Sequence, residues 1–130
     1  MAEQEKKGLD LEQQRAAHAW KCTVGCEEKY ANLAKSAPAL IMNNGLMQTL
    51  AFYKSKGKGK GVEEAHNKLL EDVCLWLGQR DFALKADSPF KGVMTFLHGS
   101  ESAIYRRATE EALALLRWIR QFASALVKKV

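Results

Sequence analysis

Apolar residues recur along most of the chain at three- and four-residue intervals, and no run shows the sustained alternation of a half-buried strand. The spacing predicts five helices. The first spans Leu9 to Lys35, with Leu9, Ala16, Trp20, Val24 and Ala31 along one side and Gly25 as a candidate kink. The second spans Pro38 to Lys56. Its apolar residues, among them Leu40, Ile41, Met42, Leu46, Met47, Leu50, Phe52 and Tyr53, point in nearly every direction, a pattern expected of a buried central helix. The third spans Val62 to Leu77, with His66 on its apolar face. The fourth runs from Pro89 to Leu97 and ends at His98-Gly99. The fifth spans Glu101 to Lys128 with a stripe through Ile104, Ala108, Leu115, Trp118, Ile119, Phe122 and Leu126.

Both prolines follow a serine closely, Ser36 before Pro38 and Ser88 before Pro89. Serine caps free N–H groups and proline is tolerated in a first turn, so each pair predicts a helix start. Short connections and one continuous apolar set predict an all-α fold, a single-domain bundle of about five helices over residues 9–130. Residues 1–8 are expected to fray.

Composition narrows the class. The hydrophobic fraction of 47% is enough to offset chain entropy, which excludes disorder over most of the length. No apolar run approaches the roughly 18 residues of a membrane span, and residues 1–10 lack the apolar core of a signal peptide, so a cytoplasmic protein with no membrane partner is expected. Cys22, Cys26 and Cys74 are too few, and odd in number, for a disulfide framework.

Catalytic chemistry finds no support in the spacing. There is no His-Glu-x-x-His, Gly-x-Ser-x-Gly or Gly-x-Gly-x-x-Gly pattern. The segment Lys54-Ser-Lys-Gly-Lys-Gly-Lys-Gly61 has no Ser or Thr after a Gly-Lys pair and no preceding strand, so it is not a phosphate loop. Glu110 and Glu111 read as solvent-facing charges, and Trp20, Trp76, Trp118 and Phe122 as core. No catalytic residue, metal ligand or cofactor is expected.

Charge is the positive signal. Twenty Lys and Arg against fifteen Asp and Glu give a net charge of +5. On the fifth helix, counted from Arg106, Arg117 lies about 20° away and Arg120 and Lys128 about 40° away on either side, opposite the apolar stripe. Arginine's planar guanidinium suits bidentate contact with phosphate. Arg15 and Lys21 of the first helix, and Lys54, Lys56, Lys58 and Lys60 of the lysine-glycine segment, add to a basic surface suited to a polyanionic partner.

Three stretches carry a resemblance: Leu11-Glu-Gln-Gln-Arg-Ala-Ala-His-Ala-Trp20, Asn44-Gly-Leu-Met-Gln-Thr-Leu-Ala-Phe-Tyr-Lys54, and Tyr105-Arg-Arg-Ala-Thr-Glu-Glu-Ala-Leu-Ala-Leu-Leu-Arg-Trp-Ile-Arg-Gln-Phe-Ala123. In order and spacing they resemble the small α-helical subunit of the type III-B CRISPR effector, the Cmr (RAMP module) complex, from about residue 9 to 127. The resemblance implies a non-enzymatic subunit whose copies stack as a minor filament beside RAMP-fold backbone subunits and contact the CRISPR RNA and its target RNA. It gives the lysine-glycine segment no role. The small subunit of the type III-A complex is a structural competitor. From the residues alone, a helical protein–protein adaptor without RNA contact remains open, with a small helical enzyme behind it.

Overall fold

The computed structural model describes residues 8–57 and 62–128. It contains six helices: α1 (Leu11–Thr23), α2 (Glu28–Asn44), α3 (Leu46–Lys56), α4 (Val62–Gln79), α5 (Pro89–His98) and α6 (Ser102–Leu126), with no strand among the described residues. The all-α expectation holds. Most of residues 1–8, with Lys58, Lys60 and the last two residues, lie outside the described set.

Two expected helices are each divided by a glycine. A reciprocal cap starts α1: the Asp10 side chain accepts the Gln13 N–H at 2.8 Å, and the Gln13 side chain accepts the Asp10 N–H at 2.9 Å. The helix stops at Thr23, whose hydroxyl donates to the Ala19 carbonyl at 2.8 Å. Gly25, at φ +69°, then turns the chain into α2. Gly25 is a break rather than a kink. The predicted stripe therefore fails at Trp20 and Val24, and also at Leu9, all three exposed, while Ala31 on α2 is buried, as are Ala19 and Cys22 off the stripe.

The second division corrects the Pro38 helix start. Pro38 lies inside α2, and Ser36 donates its hydroxyl back to the Leu33 carbonyl at 3.1 Å instead of capping. The break falls at Gly45, φ +89° and ψ 159°, where the Tyr105 hydroxyl accepts the Met47 N–H at 3.1 Å and satisfies a free donor of the first turn of α3. This break also overturns the central all-round apolar helix. Each piece has an ordinary one-sided stripe, Tyr30, Ala34, Ala37 and Ile41 on α2 and Leu46, Leu50 and Tyr53 on α3. Of the remaining apolar residues, Met42 at 73% exposure and Phe52 at 45% face outward, while Leu40 and Met47 are half-buried and pack against the core.

The centre belongs to α4 and α6. Helix α6 lies against α1, α2 and α4, and α4 against α2, α3 and α5. Trp76, Leu69, Leu70 and Leu77 from α4 and Leu115, Leu116 and Ile119 from α6 are fully buried. Each contributes about 1.5–3 kcal/mol relative to exposure, before chain entropy is subtracted. Ser88 caps α5 as expected, accepting the Lys91 N–H at 3.3 Å with Pro89 in the first turn. The chain passes so close to Gly92 that a Cβ there would collide with the Leu84 carbonyl oxygen. After α6 the Lys128 N–H donates to the Cys26 carbonyl at 2.9 Å and ties the end of the chain to the α1–α2 turn.

Candidate nucleic-acid interface

Alanines and leucines set the register of α6. Ala108, Ala112, Leu115 and Ile119 are buried, so the positions opposite them must face solvent. Arg106, Arg117 and Arg120 occupy that side and are exposed, with Arg107 beside them and Glu110 interrupting the row. Among the described residues none of these arginines forms an ion pair. From Arg106 to Arg120 the row extends about 21 Å along the helix axis. Lys128 is exposed but lies beyond the end of α6, so helical periodicity does not place it on this row.

Arg15 stands apart from the exposed cations. Its Nε donates to Glu111 Oε2 at 2.7 Å and its Nη2 to Glu111 Oε1 at 2.9 Å, while Nη1 reaches Glu12 at 2.9 Å. The guanidinium is thus committed within the fold, and these bonds hold its pKa above its ordinary value. Glu111 is 8% exposed and also accepts the Trp76 indole N–H at 2.8 Å. Burial pushes the Glu111 carboxyl up, but the Arg15 and Trp76 hydrogen bonds outweigh it and hold the group below its ordinary value. The expectation of a solvent-facing Glu111 is corrected. A signal existed: Glu111 lies about 40° from Leu115 on the helix, inside the apolar stripe.

A second polar cluster joins α1, α2 and α4. Lys68 Nζ donates to Asp72 Oδ2 and to the Cys22 carbonyl, both at 2.8 Å, and sits 4.5 Å from the centre of the Tyr30 ring. The Tyr30 hydroxyl donates to the same Asp72 oxygen at 2.7 Å. Burial, then the Asp72 charge, push the Tyr30 hydroxyl far above its ordinary value, so it stays protonated. Tyr30 is buried in the core.

The three thiols are buried. Desolvation pushes Cys22 and Cys74 up to about 12 and raises Cys26 as well, so all three stay protonated near neutral pH. Among the described residues no group of three or more His, Cys, Asp and Glu could hold a metal ion.

The aromatic residues divide. Trp76 is core, as expected. Trp20 is 49% exposed, which corrects its reading as core; it packs edge-on against Phe122 at 5.3 Å, and Phe122 meets Trp118 at 5.5 Å, both only partly buried. Trp20 lies about 100° round the helix from Ala19, at the margin of the face that buries Ala19, Cys22 and Thr23. His66 is half-buried, with its ring 5.7 Å from that of Tyr53.

Lys21, Lys54 and Lys56 are exposed. Lys54 Nζ lies 5.8 Å from the centre of the Phe90 ring, and Lys56 Nζ lies 5.8 Å from that of Phe52. Such contacts restrain a lysine without neutralising it.

Fold and surface define a small, basic, all-helical bundle whose longest helix presents a row of arginines unpaired among the described residues. The chain belongs to a family of CRISPR-associated proteins, Cas_Cmr5, whose family model matches residues 11–126. The Cmr subunit Cmr5 of a CRISPR system in Thermus thermophilus is 35% identical over 101 residues, 78% of this chain and 77% of that protein. A crystal structure of a CRISPR-associated Cmr5 family protein, also from Thermus thermophilus, superposes with a TM-score of 0.62 at 28% identity, covering 90% of this chain and 93% of that one.

Proposed function

We propose that this chain is a non-catalytic structural subunit of a type III-B CRISPR RNA-guided complex. Copies of it stack beside RAMP-fold backbone subunits, and its exposed cations contact the CRISPR RNA and its target RNA. The observation that carries this reading is the coincidence of two independent features. Family membership spans nearly the whole chain, and the longest helix presents Arg106, Arg117 and Arg120 to solvent, unpaired among the described residues. Lys21, Lys54, Lys56 and Lys128 extend the basic surface, with Lys58 and Lys60 as further candidates in the lysine-glycine segment. Arg15 serves RNA contact only indirectly, by fixing α1 against α6 through Glu111. The match to Cas_Cmr5 favours the type III-B assembly over its type III-A counterpart.

The mechanism asked of such a subunit is electrostatic. Arginines held on a rigid helix meet backbone phosphates and release counterions, which yields affinity independent of base sequence. Each copy adds a weak site, and linkage in one assembly makes the sum tight. Reconstituting the complex with and without this subunit and measuring target-RNA affinity over a salt series tests the reading. A steeper dependence of log K on log salt is expected when the subunit is present. An unchanged slope would make the chain a helical adaptor without RNA contact.

A further inference from the structure

The hinge at Gly45 creates a feature that the arginine row does not use. Helices α2 and α3 join there, and a cleft beside the join is lined by Leu40, Asn43, Asn44, Gln48, Thr49 and Phe52. Asn43, Asn44 and Gln48 are exposed carboxamides, and Phe52 is an exposed aromatic ring. The Phe52 ring stands nearly perpendicular to the His66 ring, at 84° and 6.3 Å. Gln48, Phe52 and Lys56 follow one another at four-residue steps, so amide, ring and cation form a track about 12 Å long on one side of α3.

The geometry points to a binding site for an unpaired nucleobase of an RNA strand in this cleft, with Phe52 as its stacking platform. A stacking face beside a positive charge that meets the backbone is the pairing by which proteins hold single strands. Carboxamides add donors and acceptors that match base edges. Lys56 covers the Phe52 ring in the free protein and needs only a side-chain rotation to leave that face to a base and meet the adjoining phosphate. Lys54, which opens the lysine-glycine segment, adds to the charge at this end of α3. A peptide partner of acidic character would use the lysines but would leave the ring and the three carboxamides without purpose.

This inference rests on the proposed RNA contact, and the test keeps the two apart. The assembled complex is irradiated with RNAs carrying 5-iodouridine at single positions, and adducts are mapped by mass spectrometry. The expected result is an adduct on the peptide spanning Gln48 to Lys56 from an unpaired position. Phe52→Leu, which keeps apolar bulk but removes the ring face, should abolish that adduct. It should also weaken single-strand binding by at least about 5-fold, the lower end of an aromatic–base stack, with melting temperature and salt slope unchanged. An adduct that survives Phe52→Leu, or the absence of any adduct on this peptide, overturns the site. A variant that folds but elutes apart from the complex in size-exclusion chromatography overturns it too, because the cleft is then a contact between proteins. A salt slope that depends on the subunit, without the Phe52 adduct, leaves the broader reading standing and sinks only this one.

Discussion

The Arg15 guanidinium holds both oxygens of the Glu111 carboxylate, at 2.7 and 2.9 Å, across a sequence separation of 96 residues. The pair joins the first helix to the last, and the Trp76 indole N–H closes it from the core side. Removing Glu111 would strand a mostly buried guanidinium and a buried indole donor. Glu111→Ala is expected to cost about 3 kcal/mol, the lower end for breaking a buried pair, since Arg15 retains some access to water. For a chain of this size the melting temperature should fall by about 10 °C. Scanning calorimetry checks this, and a loss of under about 2 °C would show that the pair does not hold the helices together.

The same carboxylate gives stability a pH dependence whose sign is fixed. The Glu111 carboxyl is held below its ordinary value in the fold, so the ionised form favours the folded state. Its contribution is fully present above the unfolded carboxylate value of about 4.3 and is lost as pH falls through the lower folded value. The melting temperature of the parent should therefore drop below about pH 4 more steeply than that of Glu111→Gln. Parallel melts from pH 7 to pH 3 check this: curves of equal steepness would mean that Glu111 contributes nothing, and a variant that falls faster would mean that the sign is reversed.

At Gly45 the backbone adopts φ +89° and ψ 159°, a region that residues with a Cβ rarely enter. Gly45→Ala is expected to destabilise by about 1–3 kcal/mol through backbone strain. Tyr105→Phe removes the acceptor of the Met47 N–H and should cost about 1 kcal/mol. Chemical denaturation of both variants measures these losses. A neutral Gly45→Ala would mean that the break tolerates an ordinary side chain.

Much of the architecture was legible because amphipathic periodicity survives errors at helix ends. The stripes of α4 and α6 and the Ser88-Pro89 start needed nothing beyond local spacing. What misled was glycine. Gly25 and Gly45 each sit inside an apolar pattern that continues across them, and only their positive φ reveals that the chain turns. Reading through Gly45 fused two one-sided helices into one apparently apolar on all sides, which hid the exposure of Phe52. Reading through Gly25 fitted one stripe across two helices and so placed Trp20, which lies at the margin of the buried face of α1, in the core. The buried pair of Arg15 and Glu111 was illegible for a different reason: a charge at an apolar position declares itself, but its partner lies at the other end of the chain. The exposed arginines were legible because the opposite face of α6 is so regular.

Trp20 and Trp76 should respond differently to truncation. Trp76 is buried, so Trp76→Ala is expected to cost about 3–5 kcal/mol through lost transfer and a residual cavity. Half-exposed Trp20 leaves little cavity, and Trp20→Ala should cost under about half as much. Equilibrium unfolding in urea decides between them, and equal losses would mean that the Trp20–Phe122 contact is as much a part of the core as Trp76.

The arginine row tests the functional reading without disturbing the fold. Arg106, Arg117 and Arg120 are exposed and unpaired among the described residues, so changing all three to glutamine should move stability by no more than about 0.5 kcal/mol per site. Glutamine keeps the helix and much of the side chain's length while removing the charge. If each arginine meets a phosphate, the slope of log K against log salt for RNA binding by the assembled complex should shrink by roughly 0.7–0.9 per contact in every copy. The loss should not depend on base sequence, because phosphates carry none. Two results would redirect the argument. A variant that melts normally but fails to join the complex would make the row an interface with a neighbouring subunit. A variant that joins and binds RNA with an unaltered slope would leave the row a solvated face, and the phosphate contacts would then belong to Lys21 and to Lys54, Lys56 and the segment that follows them.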